Sequence, residues 1–223
     1  MREIAALAPH LSAPASRRIG LVSLASDHVS SDEIRAVCGG ADCAIHETRI
    51  PNADRITAES LAAMEAGLTE AASRLPGGLP YDAAAYLCTS ASRLIGFDRV
   101  ADLVREALPG ASVTNPLAAA IAACEAIGAR RIALVTPYVA EVTDALASGF
   151  EEAGVTVVRA ASFFTDSDAE VTRIDANSLT DAAAEAARPG GVDAVFLSCT
   201  ALRTVHATPR FEAAAGLPVL SSN

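Results

Sequence analysis

The chain has 223 residues, 51% hydrophobic and 20% charged, which suffices for a buried core, as one large domain or two small ones around a cleft, and excludes disorder. Its net charge of −10 excludes a nucleic-acid partner, which needs a basic footprint, but not a small anion held by local N–H groups. No apolar run reaches the roughly 18 residues of a membrane span, and no apolar core precedes a cleavage site near Met1, so no membrane role is expected and the expected setting is the cytoplasm.

In chain order, Ile19–Leu24 is a short apolar run that predicts a buried strand, and the Gly39-Gly40 pair predicts a turn. Ala58 to Ala72 carries Ala, Leu and Met at helical spacing. Ala83–Leu87 is a second strand, and Ser112 to Asn115 a third that ends in small polar residues. Asn115 is a natural N-cap for an Ala-rich helix from Pro116 to Ile127, which Gly128 closes. Ile132–Thr136 is a strand, Glu141 to Ala153 a helix stopped by Gly154, and Ala194–Leu197 a strand after the Gly190-Gly191 turn. With aromatics at 4% and no tryptophan, the core must come from Ala, Val, Leu and Ile, which suits helices packed closely on a parallel sheet.

The chain also repeats itself. Arg17-Arg18-Ile19-Gly20-Leu21-Val22 recurs as Arg130-Arg131-Ile132-Ala133-Leu134-Val135, an offset of 113. Leu87-Cys88-Thr89 recurs as Ser198-Cys199-Thr200, offset by 111, and Ser112–Asn115 as Val219–Ser222, offset by 107. Three echoes in order predict an α/β fold of two pseudo-symmetric parallel-sheet half-domains, with the active site in the cleft between them. The expected halves are residues 1–116, with 217–223 returning to them, and 117–216. The repeat also predicts a helix beyond Asn223, matching the one from Pro116.

The repeat singles out two of the five cysteines. Ligands of open parallel sheets sit beyond the carboxyl ends of the strands, where both Cys-Thr motifs fall. A cysteine between a strand and a helix N-terminus is expected to have a lowered pKa and to be reactive as thiolate. Thr89 and Ser90, and Thr200 and Ala201, would supply hydroxyls and N–H donors for a carboxylate or an enolate oxygen. Two such sites facing each other suit proton transfer across a carbon, or thiolate addition to an activated alkene, and require no metal or cofactor. Cys38, Cys43 and Cys124 lack this context and read as structural, with no spacing that completes a zinc site.

Tyr86-Leu87-Cys88-Thr89-Ser90-Ala91-Ser92, Leu134-Val135-Thr136-Pro137-Tyr138 and Phe196-Leu197-Ser198-Cys199-Thr200-Ala201-Leu202-Arg203-Thr204 carry a resemblance that spans Arg18 to Asn223. The chain resembles the aspartate/glutamate racemase superfamily and, within it, the maleate cis-trans isomerase and ectoine-utilisation branch, with arylmalonate decarboxylases as relatives. The resemblance implies a homo-oligomer in which Cys88 and Cys199 are catalytic and Tyr138 offers its hydroxyl to the substrate. Decarboxylase relatives keep only the second cysteine, so two imply an isomerase or racemase. Asp27 and Asp168 fall where maleate isomerases place carboxylate-binding asparagines. An anionic side chain there repels a carboxylate and fits a cationic or amide N–H face, as in an ectoine-like ring or an amino acid.

Other polar residues have plainer readings. His28 is either an acid–base helper or surface, Arg93 is read as surface, and Arg203, on a helix expected after Cys199, as surface or cleft-facing. Two alternatives to the isomerase stand: a decarboxylase or lyase using Cys199 alone, and a non-catalytic two-lobed protein that binds a small ligand.

Overall fold

A computed structural model describes residues 7–10, 13, 15–38 and 42–223; the turn expected at Gly39-Gly40 lies outside the described residues. The first half runs β1 (Arg17–Leu24), α1 (Ser30–Cys38), β2 (Cys43–Ile50), α2 (Ala58–Ala63), α3 (Leu68–Ser73), β3 (Ala83–Tyr86), α4 (Thr89–Ile95), α5 (Phe97–Ala107) and β4 (Ser112–Thr114). After α6 (Pro116–Ile127), the second half runs β5 (Arg131–Thr136), α7 (Ala140–Glu152), β6 (Thr156–Ser162), α8 (Asp168–Val171), α9 (Ala176–Ala187), β7 (Ala194–Leu197), α10 (Thr208–Ala215) and β8 (Val219–Ser221). Two four-stranded parallel sheets result, ordered β2-β1-β3-β4 and β6-β5-β7-β8. This is the expected pair of α/β half-domains.

The central strands are the ones with continuous apolar sequence. The edge strands β2 (Cys-Ala-Ile-His-Glu-Thr-Arg-Ile) and β6 are mostly half-exposed, so polar residues interrupt them and no apolar run announces them. The helix expected over Ala58 to Ala72 is broken by a 3-10 turn at Met64–Gly67, where Gly67 lies against Ile50. Gly20 marks a close approach, because a Cβ there would stand 2.7 Å from Leu75 Cδ1, which would have to shift. The repeat extends to a pair of clamps. Asp82 accepts the Arg18 N–H at 2.7 Å, and Asp193 accepts those of Arg130 and Arg131 at 2.9 and 2.8 Å.

The C-terminal segment corrects one expectation. Residues 217–223 do not return to the first sheet: β8 pairs with β7 just as β4 pairs with β3. The two ladders match Val113 with Val219 rather than with Leu220, a slip of one residue from the sequence echo. A short strand has more to gain from an open, collinear edge than from crossing the cleft. Beyond the ladder, Ser222 and Asn223 make hydrogen bonds to the first half, at Thr89 and Glu33.

The halves are tied together by polar contacts around the cleft. Arg55 pairs with Asp166, and Ile56 N–H donates to the Asp166 carbonyl at 2.8 Å. Thr200 Oγ1 donates to the Leu87 carbonyl at 3.1 Å. Arg93 donates to the Ala145 carbonyl at 2.8 Å and pairs with Glu152, across a contact that admits only Gly149 on α7. Arg93 is thus a staple between halves rather than free surface.

Candidate active site

The site follows from where the strands end. β1, β3 and β7 deliver Asp27, Cys88 and Cys199 to the mouth of the cleft, and the loop between β5 and α7 delivers Tyr138. A pocket enclosing about 500 Å³, solvent at its mouth included, lies between the halves. Cys88, Cys199, Asp27, Thr89, Ser90, Tyr138, Asp168, Thr200 and Ala201, the residues singled out from the sequence, all line it. Asn115 does not: it caps α6, its Oδ1 accepting the Ala118 N–H at 3.0 Å. His28 and Arg203 are exposed and face a separate surface dip beside Asp32 and His206.

The two thiol environments differ more than the repeat suggests. Cys88 is the N-cap of α4 and has an extended backbone, at φ −146°. Its Sγ lies 3.7 Å from Ser90 Oγ. Cys199 has no helix behind it. Its φ of 128°, rare for a residue with a side chain, turns the chain aside, and Leu202 N–H closes a turn onto the Cys199 carbonyl at 3.3 Å. The helix expected after Cys199, and Arg203 upon it, are therefore absent.

Burial also reverses the expected thiol chemistry. Both cysteines are buried, and removal from water pushes the Cys88 thiol up to about 11 and that of Cys199 up to about 12. The Ala91 N–H and Ser90 hydroxyl pull Cys88 partly back, as Tyr138 and the Ala201 N–H do for Cys199. Asp168 opposes them at both thiols, helped by Asp27 at Cys88. Tyr138 is buried beside Cys199 and Ser90, and burial, then the charges of the two thiols, raise its pKa well above the usual value. The site thus favours two protonated thiols and a neutral phenol at neutral pH.

The two carboxylates are engaged differently. Asp27 faces α1, accepting the N–H groups of Val29 and Ser30 at 2.7 and 2.9 Å and the Ser30 hydroxyl. Asp168 crosses the cleft: its Oδ2 accepts Ser26 Oγ at 2.6 Å and Asn52 Nδ2 at 3.1 Å. Burial, then the Asp27 charge, raise its pKa against those two donors. Sequence reasoning missed Ser26, Asn52 and Arg55, and the apolar wall of Leu24, Ile56, Leu61 and Met64. Asn52 sits just past β2, so its signal depended on recognising an edge strand. Among the described residues Arg55 is the one cation lining the pocket, and it stands exposed at the rim, committed to Asp166. Among the described residues no cluster of three His, Cys, Asp or Glu is placed to hold a metal.

Comparison with known proteins gives concordant results. A family model described as arylmalonate decarboxylase matches residues 54–223. The arylmalonate decarboxylase of Bordetella bronchiseptica is 33% identical over 122 residues, 54% of this chain and 50% of that protein, so the match spans half its length. The maleate isomerase of Nocardia farcinica is 29% identical over 217 residues, covering 92% of this chain and 85% of that one. Among solved structures, a cysteine-to-serine variant of Nocardia farcinica maleate cis-trans isomerase with a covalently bound succinylcysteine intermediate superposes with a TM-score of 0.81. It is 25% identical, over 92% of this chain and 87% of that one.

Proposed function

Because the chain belongs to the arylmalonate decarboxylase family, we propose that it is a cofactor-independent isomerase or racemase of a small carboxylate, with Cys88 and Cys199 acting from opposite halves. The observation that supports this reading is the meeting of both thiols and Tyr138 in one buried pocket. Substrate carboxylate would seat on the first-turn N–H groups of α4, at Thr89 and Ser90, which have no acceptor within the helix. One cysteine gives its proton to solvent at the pocket mouth as substrate enters, and the thiolate so formed takes the proton from the carbon beside that carboxylate. The electron pair spreads into the carboxylate as an enediolate, steadied by those N–H groups and by Tyr138. The opposing thiol gives its proton to the other face, so one thiol and one thiolate persist throughout. With an alkene, the thiolate forms a C–S bond at one carbon and the opposing thiol protonates the next. Rotation and the reverse steps then release the isomer.

Asp27 and Asp168 disfavour a second carboxylate and favour an amide or ammonium N–H on the substrate, as in an ectoine-type ring or an amino acid. A homo-oligomer in the cytoplasm is part of the same proposal; all five cysteines are free thiols. A second reading, decarboxylation with Cys199 alone, draws on the family model and on the apolar wall, since a carboxylate in apolar surroundings loses CO2 more readily. The C–CO2 bond would break, and Cys199 would protonate the resulting enediolate. The test is incubation in deuterated water with maleate, aspartate, arylmalonate and ectoine-type compounds, following isomer ratio, deuterium and CO2. Two-thiol chemistry requires Cys88→Ser and Cys199→Ser each to lose turnover. CO2 release that survives Cys88→Ser replaces it with the decarboxylase reading.

A further inference from the structure

Cys199 is one of two residues other than glycine with positive φ among those described, so something must hold its loop against relaxation. The hydrogen bonds identify the holder. Cys199 N–H donates to Ser222 Oγ at 2.9 Å, and the same oxygen lies 2.8 Å from Thr89 Oγ1. Ser222 is itself fixed by its N–H, which donates to the Leu197 carbonyl at 3.2 Å, at the end of the strand that carries Cys199. One hydroxyl therefore links the backbone of one thiol residue to the residue that follows the other.

The next contacts extend the same brace. Asn223 Nδ2 donates to the carbonyls of Thr200 and Leu202 at 3.1 and 2.8 Å and to Glu33 Oε2 at 2.9 Å. The buried Glu33 carboxylate, on α1 of the first half, also accepts Thr204 N–H at 2.9 Å and Val205 N–H at 3.2 Å. The loop from Cys199 to Val205 is thus held at both ends. Of these braces, the Ser222 contact is the one made to Cys199 itself, at its N–H.

We propose that Ser222 is a positioning residue: it holds Cys199 in its strained conformation and sets the register of the two thiols across the cleft. The catalytic consequence rests on the two-thiol reading above, whereas the geometric effect does not. A hydroxyl suits the task because it accepts from Cys199 N–H while its own hydrogen remains for Thr89. Threonine keeps that hydroxyl and alanine removes it.

The experiment uses the full chain with S222A and S222T and measures three things: alkylation rates of Cys199 and Cys88 by mass spectrometry, kcat and KM of the wild-type reaction, and Tm. In S222A the freed loop relaxes and exposes its thiol, so the Cys199-to-Cys88 alkylation ratio rises about threefold or more while kcat falls about tenfold at nearly constant KM. S222T restores both. General opening would also carry the ratio towards one, so alkylation of the buried Cys124 is followed as its control and should stay at the wild-type rate. If S222A fails to fold, S222G takes its place. A wild-type ratio in the alanine or glycine variant overturns the proposal, as does an S222T protein no better than S222A. If the wild-type protein turns over none of the substrates, the proposed function fails while the alkylation ratio still decides the role of Ser222.

Discussion

Raising the pH on the unliganded protein tests the account of its thiols most directly. Burial places Cys88 at about 11 and Cys199 at about 12. At pH 7 that leaves roughly one Cys88 in 10,000 and one Cys199 in 100,000 as thiolate, and at pH 9 about 1% and 0.1%. A small-molecule thiol of pKa near 9 is about half ionised at pH 9, so the two site cysteines should then react roughly fifty- and five-hundredfold more slowly with iodoacetamide. Each rate should climb about tenfold per pH unit through pH 10, with no plateau. At equal access Cys88 keeps a lead of about tenfold. The assay is quenched-flow alkylation followed by mass spectrometry of the two peptides. A plateau below pH 9 at either cysteine would refute the reasoning, because it would show a thiolate already formed in the free site. The proposed reaction would then need no ionisation on substrate entry.

Neutralising Asp168 should speed both alkylations at a given pH, since its charge and position raise both thiols. Asp168→Asn measured in the same pH series checks this, and unchanged rates would remove Asp168 from the account. Stability should fall as pH rises. Unfolded thiols ionise near pH 8.5, whereas the folded ones hold their protons to about 11 and 12, so the folded state binds more protons within that window. This contribution is fully present below about pH 8.5 and is lost as pH passes through the folded values. The chain has no lysine, and the buried Tyr86 and Tyr138 act in the same direction above pH 10. Urea unfolding between pH 8.5 and 9.5 should show a falling free energy that Cys88→Ser/Cys199→Ser flattens. A slope that rises or is unaffected by the double substitution contradicts the buried-thiol assignment.

Much of the site was legible in the sequence because the repeat did the work of an alignment. Pairing Cys88 with Cys199 marked two strand ends, and the topology of a parallel sheet put both ends on one side. The central strands announced themselves because burial on both faces demands uninterrupted apolar sequence, as in Arg131–Thr136, whose last five residues are all buried. The edge strands β2 and β6 did not, because a half-exposed strand accepts polar residues. With β2 went the loop beyond it, and with that loop Asn52 and Arg55.

The sequence by itself determined the two-half α/β plan, the pairing of the thiols and the class of residue around them. Tertiary structure alone decided how those thiols behave. A helix N-terminus favours a thiolate locally, but the cost of taking charge out of water depends on what closes over the site, and residues of both halves line it. Tertiary structure likewise decided that Cys199 bends away at φ 128° while Cys88 leads into a helix, although both stand in a Cys-Thr motif. The difference lies in partners remote in sequence: Ser222, Asn223 and Glu33 gather around one loop. No local pattern encodes such a meeting, because it exists only once both halves have folded against each other.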